Sequence, residues 1–179
     1  MKSVIHPIYT KRLILRPFEY KDINDVHEYA SDPDITKYML FGPNTLEETK
    51  SFVHLIVETW YHEEPLKHYE MIVEKDGQVL GAVSIHLADD LLEGEMGWIL
   101  KSSYWNQGYI TEAATALKEF AIMELKVKRI VSHCDARNIG SMKVMEKIGL
   151  KRLSLTKNVR REKKSLEYVF DELCYEATF

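Results

Sequence analysis

The chain has 179 residues, 45% of them hydrophobic and 29% charged, with 24 basic side chains against 28 acidic ones and a net charge of -4. That length fits a single domain over 1–179, and the charge balance supplies no basic field that would attract nucleic acid. Two cysteines, Cys134 and Cys174, exclude a disulfide scaffold and a cysteine-rich zinc site and fit a reducing, cytoplasmic compartment. No apolar run nears the roughly 20 residues of a membrane helix, and Met1–Tyr20 lacks the apolar core of a signal peptide.

In chain order, Arg12–Arg16 reads as a strand closed by Pro17. Asp22–Ser31 carries Ile23, Val26, His27 and Ala30 at helical spacing, and Asp32-Pro33-Asp34 breaks it. A second helix runs from Leu46 to about Tyr61. Thr45 and Glu48 have capping-box spacing, and Phe52, Leu55, Ile56 and Trp60 form an apolar stripe. The hydrophobic period then falls from about 3.6 to 2. Tyr69–Glu74 and Gln78–Leu87 alternate as strands around Asp76-Gly77, a hairpin signal. Glu95–Leu100 is a further strand, Thr111–Leu125 a long helix, Lys128–Asp135 a strand, and Ser141–Lys147 a short helix stopped by Gly149. Leu150–Val159 and Glu167–Thr178 form a closing hairpin. Strand runs broken by single helices predict an α/β (α+β) domain with a mixed, mostly antiparallel sheet.

The chemistry gathers at two strand-to-helix junctions. Glu95-Met-Gly-Trp98-Ile99-Leu100 leads through Trp105-Asn106-Gln107-Gly108-Tyr109-Ile110-Thr111 into the long helix. The first turn of a helix offers unpaired N–H groups and a partial positive charge, so this junction suits a pyrophosphate, with Gly108 admitting it close to the backbone. Ordinary helix entry is the plainer reading of one glycine, and neither the P-loop nor the Rossmann glycine pattern is present. The second junction, Cys134-Asp-Ala-Arg-Asn138-Ile-Gly-Ser141, follows the next strand.

Together these residues resemble the GNAT superfamily of acetyl-CoA-dependent N-acetyltransferases, and within it the Rim-type branch that acetylates ribosomal-protein N-termini. Thr10-Lys-Arg-Leu-Ile-Leu-Arg-Pro17 with Asp22 and Asp32-Pro33, Tyr104–Ala113, and Asp171-Glu-Leu-Cys-Tyr175 carry the same resemblance, in order, over nearly the whole chain. It implies a GNAT fold whose fourth and fifth strands, here Glu95–Leu100 and Lys128–Asp135, splay apart with helices on both faces. The pantetheine arm of acetyl-CoA, the co-substrate, enters the gap and pairs with main-chain groups of Trp98, Ile99 and Leu100. The Leu100 N–H faces the thioester oxygen, Trp105–Thr111 hold the pyrophosphate, Ser141 lies near the cofactor sulfur, and Asn138 is a further cofactor-binding residue.

Three positions depart from the superfamily pattern or refine it. Trp105 stands where the general loop motif has Gln or Arg, although Trp is usual in the Rim branch. Ile110 is bulkier than the expected Ala or Gly, yet harmless to pyrophosphate binding if turned into the core. Met145 falls where many relatives place a proton-donating tyrosine, and its thioether cannot donate. Ser141, one helical turn earlier, is the resemblance's candidate donor to the leaving thiolate, with bulk water as its rival.

Glu95 corresponds to a carboxylate that takes the amine's proton directly or through water; a solvated strand end is the plainer alternative. Asp89, Asp90, Glu93 and Glu95 make either an anionic rim for cationic acceptors or a solvated turn. The basic run Lys157–Lys164 reads as a charged hairpin tip, with Tyr168 and Phe170 alternating as strand residues. His86 and His133 read as core-edge residues, Trp60 as packing, and no histidine spacing implies a metal. The expected partners are acetyl-CoA and an amine acceptor, with no nucleic acid or membrane, in a monomer or homodimer. A protein N-terminus is the first acceptor reading, a small polyamine, amino sugar or amino acid the alternative, and a non-catalytic CoA-binding module the reading from another class.

Overall fold

The computed structural model describes residues 5–179. Eight strands form one sheet: β1 (Ile8–Tyr9), β2 (Ile14–Pro17), β3 (His68–Lys75), β4 (Gln78–Leu87), β5 (Glu93–Leu100), β6 (Arg129–Asp135), β7 (Lys151–Lys163) and β8 (Leu166–Thr178). Their spatial order is β1-β2-β3-β4-β5-β6-β8-β7. Every neighbouring pair is antiparallel except β5–β6, which is parallel. That exception follows from the crossover helix α3 (Tyr109–Met123), which returns the chain to the same end of the sheet. The other helices are α1 (Ile23–Ala30), α2 (Leu46–Glu58) and α4 (Ile139–Lys147).

Strand alternation sorts the core onto two faces. Val26, Tyr29, Val53 and Ile56 of α1 and α2 pack on Ile72 and Ala82. Ala113, Leu117 and Ala121 of α3, with Val144 and Met145 of α4, pack on Met71, Val83, Ile85 and Ile130. The predicted devices at the chain's turns are in place. Thr45 and Glu48 form a reciprocal capping box on α2, and Asp76 and Gly77, both left-handed, turn the β3–β4 hairpin.

Several boundaries differ from the sequence pattern. The strand expected at Arg12–Arg16 is shifted to β2, Ile14–Pro17, because Arg12 is drawn out of the sheet to Glu112, and the short β1 before it is not marked by the sequence pattern. An ionic triad also anchors this end: the half-buried Arg16 guanidinium meets both carboxylate oxygens of buried Asp22 at 2.8 Å and Glu74 at 2.6 Å. The helical stripe beyond Glu58 ends in a 3-10 turn, Trp60–His62, where Trp60 meets Phe52 edge to face and stacks on His68 with centroids 4.5 Å apart. The last hairpin extends to Lys163 and Leu166, further than alternation alone marks it. Cross-strand and inter-element pairs offset its charge there: Arg160 with Glu167 and Arg161 with Glu172.

Candidate active site

β5 and β6 pair only over Glu93–Glu95 and Arg129–Val131, and then separate. The fork is pinned by the buried Ser132 hydroxyl, which donates to the Met96 carbonyl at 2.8 Å. Gly81 of β4 sets the lean of β5 beyond it. A side-chain carbon at Gly81 would sit 2.1 Å from the Ile99 carbonyl oxygen and 2.8 Å from the Leu100 Cα. Only glycine lets the end of β5 lie so far toward β4, away from β6. The result is a cleft of about 660 Å³.

The strand's own alternation decides which groups face that cleft. The Lys101 N–H donates back to Leu80 of β4, and Ile99 is in register with Ala82. Trp98 and Leu100, one step out of phase, therefore turn their N–H groups into the gap. The expectation that Ile99 shares this main-chain role is corrected, since its peptide faces β4 while its residue only lines the cleft. The Leu100 carbonyl accepts from the Trp105 indole at 2.9 Å, leaving the N–H as the cleft-facing group at that residue. Trp105 thus fastens the loop to the end of β5.

The loop itself is shaped by two left-handed residues, Asn106 and Gly108, with φ of 59° and 78°. Gly108 is the N-cap of α3, and its carbonyl accepts the first helical bond, from Glu112. The helix therefore starts at Tyr109, two residues before the expected Thr111, and the N–H groups of Tyr109, Ile110 and Thr111 have no intrahelical acceptor. A brace from the N-terminal segment holds this mouth. Arg12 donates to the Gln107 carbonyl at 3.0 Å and to Glu112 at 2.6 Å, and its guanidinium lies 4.4 Å over the Tyr109 ring. Glu112 also accepts from the Thr10 hydroxyl at 2.6 Å; burial opposes its charge, but the Thr10 and Arg12 hydrogen bonds outweigh that and lower its pKa. The Gln107 side chain is spent on the Ser103 carbonyl at 3.0 Å, and Gln107 does not line the cleft. Ile110 is half-buried against the larger core.

Across the cleft, the Asn138 side chain caps α4 by accepting from the Ser141 N–H at 3.1 Å. Trp98, Leu100, Gly108, Tyr109, Thr111, Asn138 and Ser141 all line the one cavity, as do Trp105, Asn106, Ile99 and Ile110. Met145 lies in the core at 0% exposure, beyond reach of any ligand. The Cys134 thiol beside Ser141 is pushed up to about 11, by burial first and then by the charge of Asp135, against a hydrogen bond with Ser141. It is a neutral thiol at pH 7, not a nucleophilic thiolate.

Glu95 does not line the cleft. It is paired with His133, whose Nδ1 donates to Glu95 Oε1 at 2.8 Å. That hydrogen bond is the main cause of a lowered Glu95 pKa and of a raised His133 pKa. His133 is exposed and lines the cleft, so its expected place at the core edge is corrected; the register of β5 against β6 makes the pair, which a linear pattern does not carry. On the same face His68, His86 and Glu95 stand side by side across β3, β4 and β5, with His86 held by buried Glu70 at 2.6 Å. Burial opposes protonation of His86, yet Glu70 raises its pKa. Of the acidic link, Asp89 pairs with Lys67 and Glu93 with Arg129, so it is no bare anionic rim. Among the described residues no cluster of three or more His, Cys, Asp or Glu could hold a metal ion.

A sheet forked at its one parallel joint has strand N–H groups along one wall and an open helix N-terminus at its mouth. That combination suits a peptide-like, phosphorylated ligand laid between the strands. Residues 12–151 match the family described as "Acetyltransferase (GNAT) domain", and the chain belongs to that family. It is 34% identical over 145 residues to an uncharacterized N-acetyltransferase, YnaD, of Bacillus subtilis, covering 81% of this chain and 82% of that one. Its structure is similar to that of a GNAT-family acetyltransferase of Bacillus anthracis, with a TM-score of 0.84 and 32% identity over 97% of this chain and 98% of the other. The fold is also shared with RimL, a ribosomal L7/L12 α-N-protein acetyltransferase in complex with coenzyme A, with a TM-score of 0.80 and 16% identity over 97% and 98% of the two chains. The protein is an acetyl-CoA-dependent N-acetyltransferase.

Proposed function

We propose that this enzyme acetylates the α-amino group of a protein N-terminus, a ribosomal protein's among the candidates, by direct attack on acetyl-CoA within a ternary complex. The observation that carries direct attack is the fork itself: Trp98 and Leu100 turn their N–H groups into the cleft, where they can polarise a thioester for an incoming amine, while burial of Cys134 favours its neutral thiol. An N-terminal acceptor needs no deprotonation ahead of attack for an appreciable share of its molecules. An α-amino group with a pKa near ~8 is partly neutral at pH 7, whereas a lysine near ~10.4 is rarely so. The named substrate of the structurally similar L7/L12 enzyme supports the same acceptor class.

In this reading pantetheine pairs with Trp98 and Leu100, whose cleft-facing N–H groups are the donors available to the thioester oxygen as it gains charge. The N–H groups at Tyr109–Thr111 take the pyrophosphate, and Ser141 hydrogen-bonds the departing sulfur. Glu95 and His133 form the proton-accepting station at the fork. Thiol release tests the acceptor, using peptides with free and blocked N-termini, a polyamine and an amino sugar. Free N-terminal peptides are expected to lead the panel by at least tenfold in kcat/KM, with mass spectrometry placing acetyl on the α-nitrogen. Turnover confined to the small amines overturns the protein acceptor, and no turnover on any amine overturns the transferase reading.

A further inference from the structure

We infer that His133, not Glu95, accepts the proton of the attacking amine, and that Glu95 is a positioning residue acting through the imidazole. This rests on the acetyl-transfer reading above and assigns roles within its proton-accepting station.

Three observations carry the inference. First, Glu95 and Val131 are the last paired residues of β5 and β6, and His133 lies two residues further along β6, where the strands have parted. Of the pair, only His133 lines the cleft. Second, Glu95 Oε1 can only accept at its 2.8 Å contact, so Nδ1 carries the proton. In the neutral ring Nε2 is then the lone-pair nitrogen, with its tautomer fixed from behind by the carboxylate. Third, the surroundings favour the imidazolium that forms. Glu95 and Glu93 face His133 from β5, and Glu172 faces it from β8. Cys174 is in register with it on β8, its own thiol pushed up mainly by burial. Arg129 and Arg161 hold Glu93 and Glu172, which tempers their pull, and His86, beyond Glu95, is committed to Glu70.

The same contacts raise the His133 pKa, which makes its neutral imidazole the stronger proton acceptor, and lower that of Glu95, which makes it the poorer one. The amine lone pair forms the C–N bond while the carbonyl pair moves to oxygen. The surplus proton on nitrogen passes to His133 Nε2. Collapse restores the carbonyl and breaks the C–S bond, and the thiolate leaves with the pair and gains a proton at the Ser141 end. Solvent exchange then returns His133 and Ser141 to their starting states, so amine and acetyl-CoA give amide and free thiol.

The test compares wild type, His133→Ala, His133→Gln and Glu95→Gln in kcat, KM and pH profile on a turned-over amine, with melting curves to confirm folding. Both His133 variants are expected to lose roughly a hundredfold to a thousandfold in kcat, with KM for acetyl-CoA within about twofold and the acidic limb of the profile gone. Added imidazole should partly restore His133→Ala. Glu95→Gln should lose about tenfold and keep the limb, moved to lower pH, because the carboxylate no longer raises the imidazole pKa. NMR titration of the His133 ring should show the same downward move without any substrate. Near-wild-type kcat in folded His133→Ala, or a limb lost only in Glu95→Gln, overturns the inference and leaves the transferase reading intact. A wild type inactive on every amine overturns both.

Discussion

Ser141 and Met145 lie one turn apart on α4, yet one lines the cleft and the other is fully buried. The helix therefore offers the leaving sulfur a single hydroxyl, on a first turn whose backbone is capped by Asn138. A thiol with a cysteine-like pKa near ~8.5 leaves without much help, so the hydrogen bond assists and is not essential. Ser141→Ala is expected to lower kcat by roughly tenfold to a hundredfold, about 1.4–2.7 kcal/mol of transition-state stabilisation. The KM for acetyl-CoA should stay within about twofold, because the bond strengthens only as sulfur gains charge. Steady-state kinetics on a true acceptor check this; an unchanged kcat assigns the proton to water. Ser141, Gly108 and Glu95 stand out in the sequence because each sits at a fixed offset within a local motif. His133 and Arg12 do not, because their partners are 38 and 100 residues away and meet them only through the fold.

The elements around the cleft show why periodicity locates helices and strands better than it locates their ends. Apolar spacing marks α3, but its first residue is set by the left-handed backbone of Gly108, which stops the chain from turning helical any earlier. The α2 stripe includes Trp60 in spacing, yet the helix ends at Glu58 and Trp60 lies on the following 3-10 turn, edge-on to Phe52 and stacked on His68. Gly81 is the least legible of all. In a strand pattern it reads as a weak point, whereas it is the place where β5 crosses closest to β4 and so opens toward β6. Gly81→Ala puts a methyl carbon into the Ile99 and Leu100 backbone and must drive the end of β5 toward the gap. Overpacking of this kind costs about 1–3 kcal/mol of stability. Acetyl-CoA affinity should fall by about tenfold or more in a protein that still folds, measured by calorimetry beside urea unfolding. Loss of stability with wild-type affinity would mean that the cleft's width does not depend on this contact.

At the scale of the whole molecule, the mixed sheet follows from the order of strand and helix patterns, while the position of the fork follows from the β5–α3–β6 crossover. That joint divides the sheet into β1–β5 and β6–β8, which meet in a short parallel ladder, the Ser132–Met96 hydrogen bond beside it and the Glu93–Arg129 and Glu95–His133 side-chain pairs. A ligand inserted between β5 and β6 would supply the pairing that the splay removes and tie the two halves together. A ligand confined to the start of α3 would touch the first half only, so the mode of binding has a mechanical signature. If CoA occupies the gap as a strand, it should act on both halves at once. At about 100 times its dissociation constant it should stabilise the fold by about 2.7 kcal/mol. For a chain of this size that raises Tm by about 5–11 °C. Hydrogen exchange should slow together at Trp98 and Leu100 on β5 and at the facing residues of β6. Adenosine 3′,5′-bisphosphate, which has no pantetheine arm, should protect neither strand. Protection by CoA restricted to Trp105–Thr111, with β6 unchanged, would mean that the carrier rests at the mouth and that the splay has another purpose.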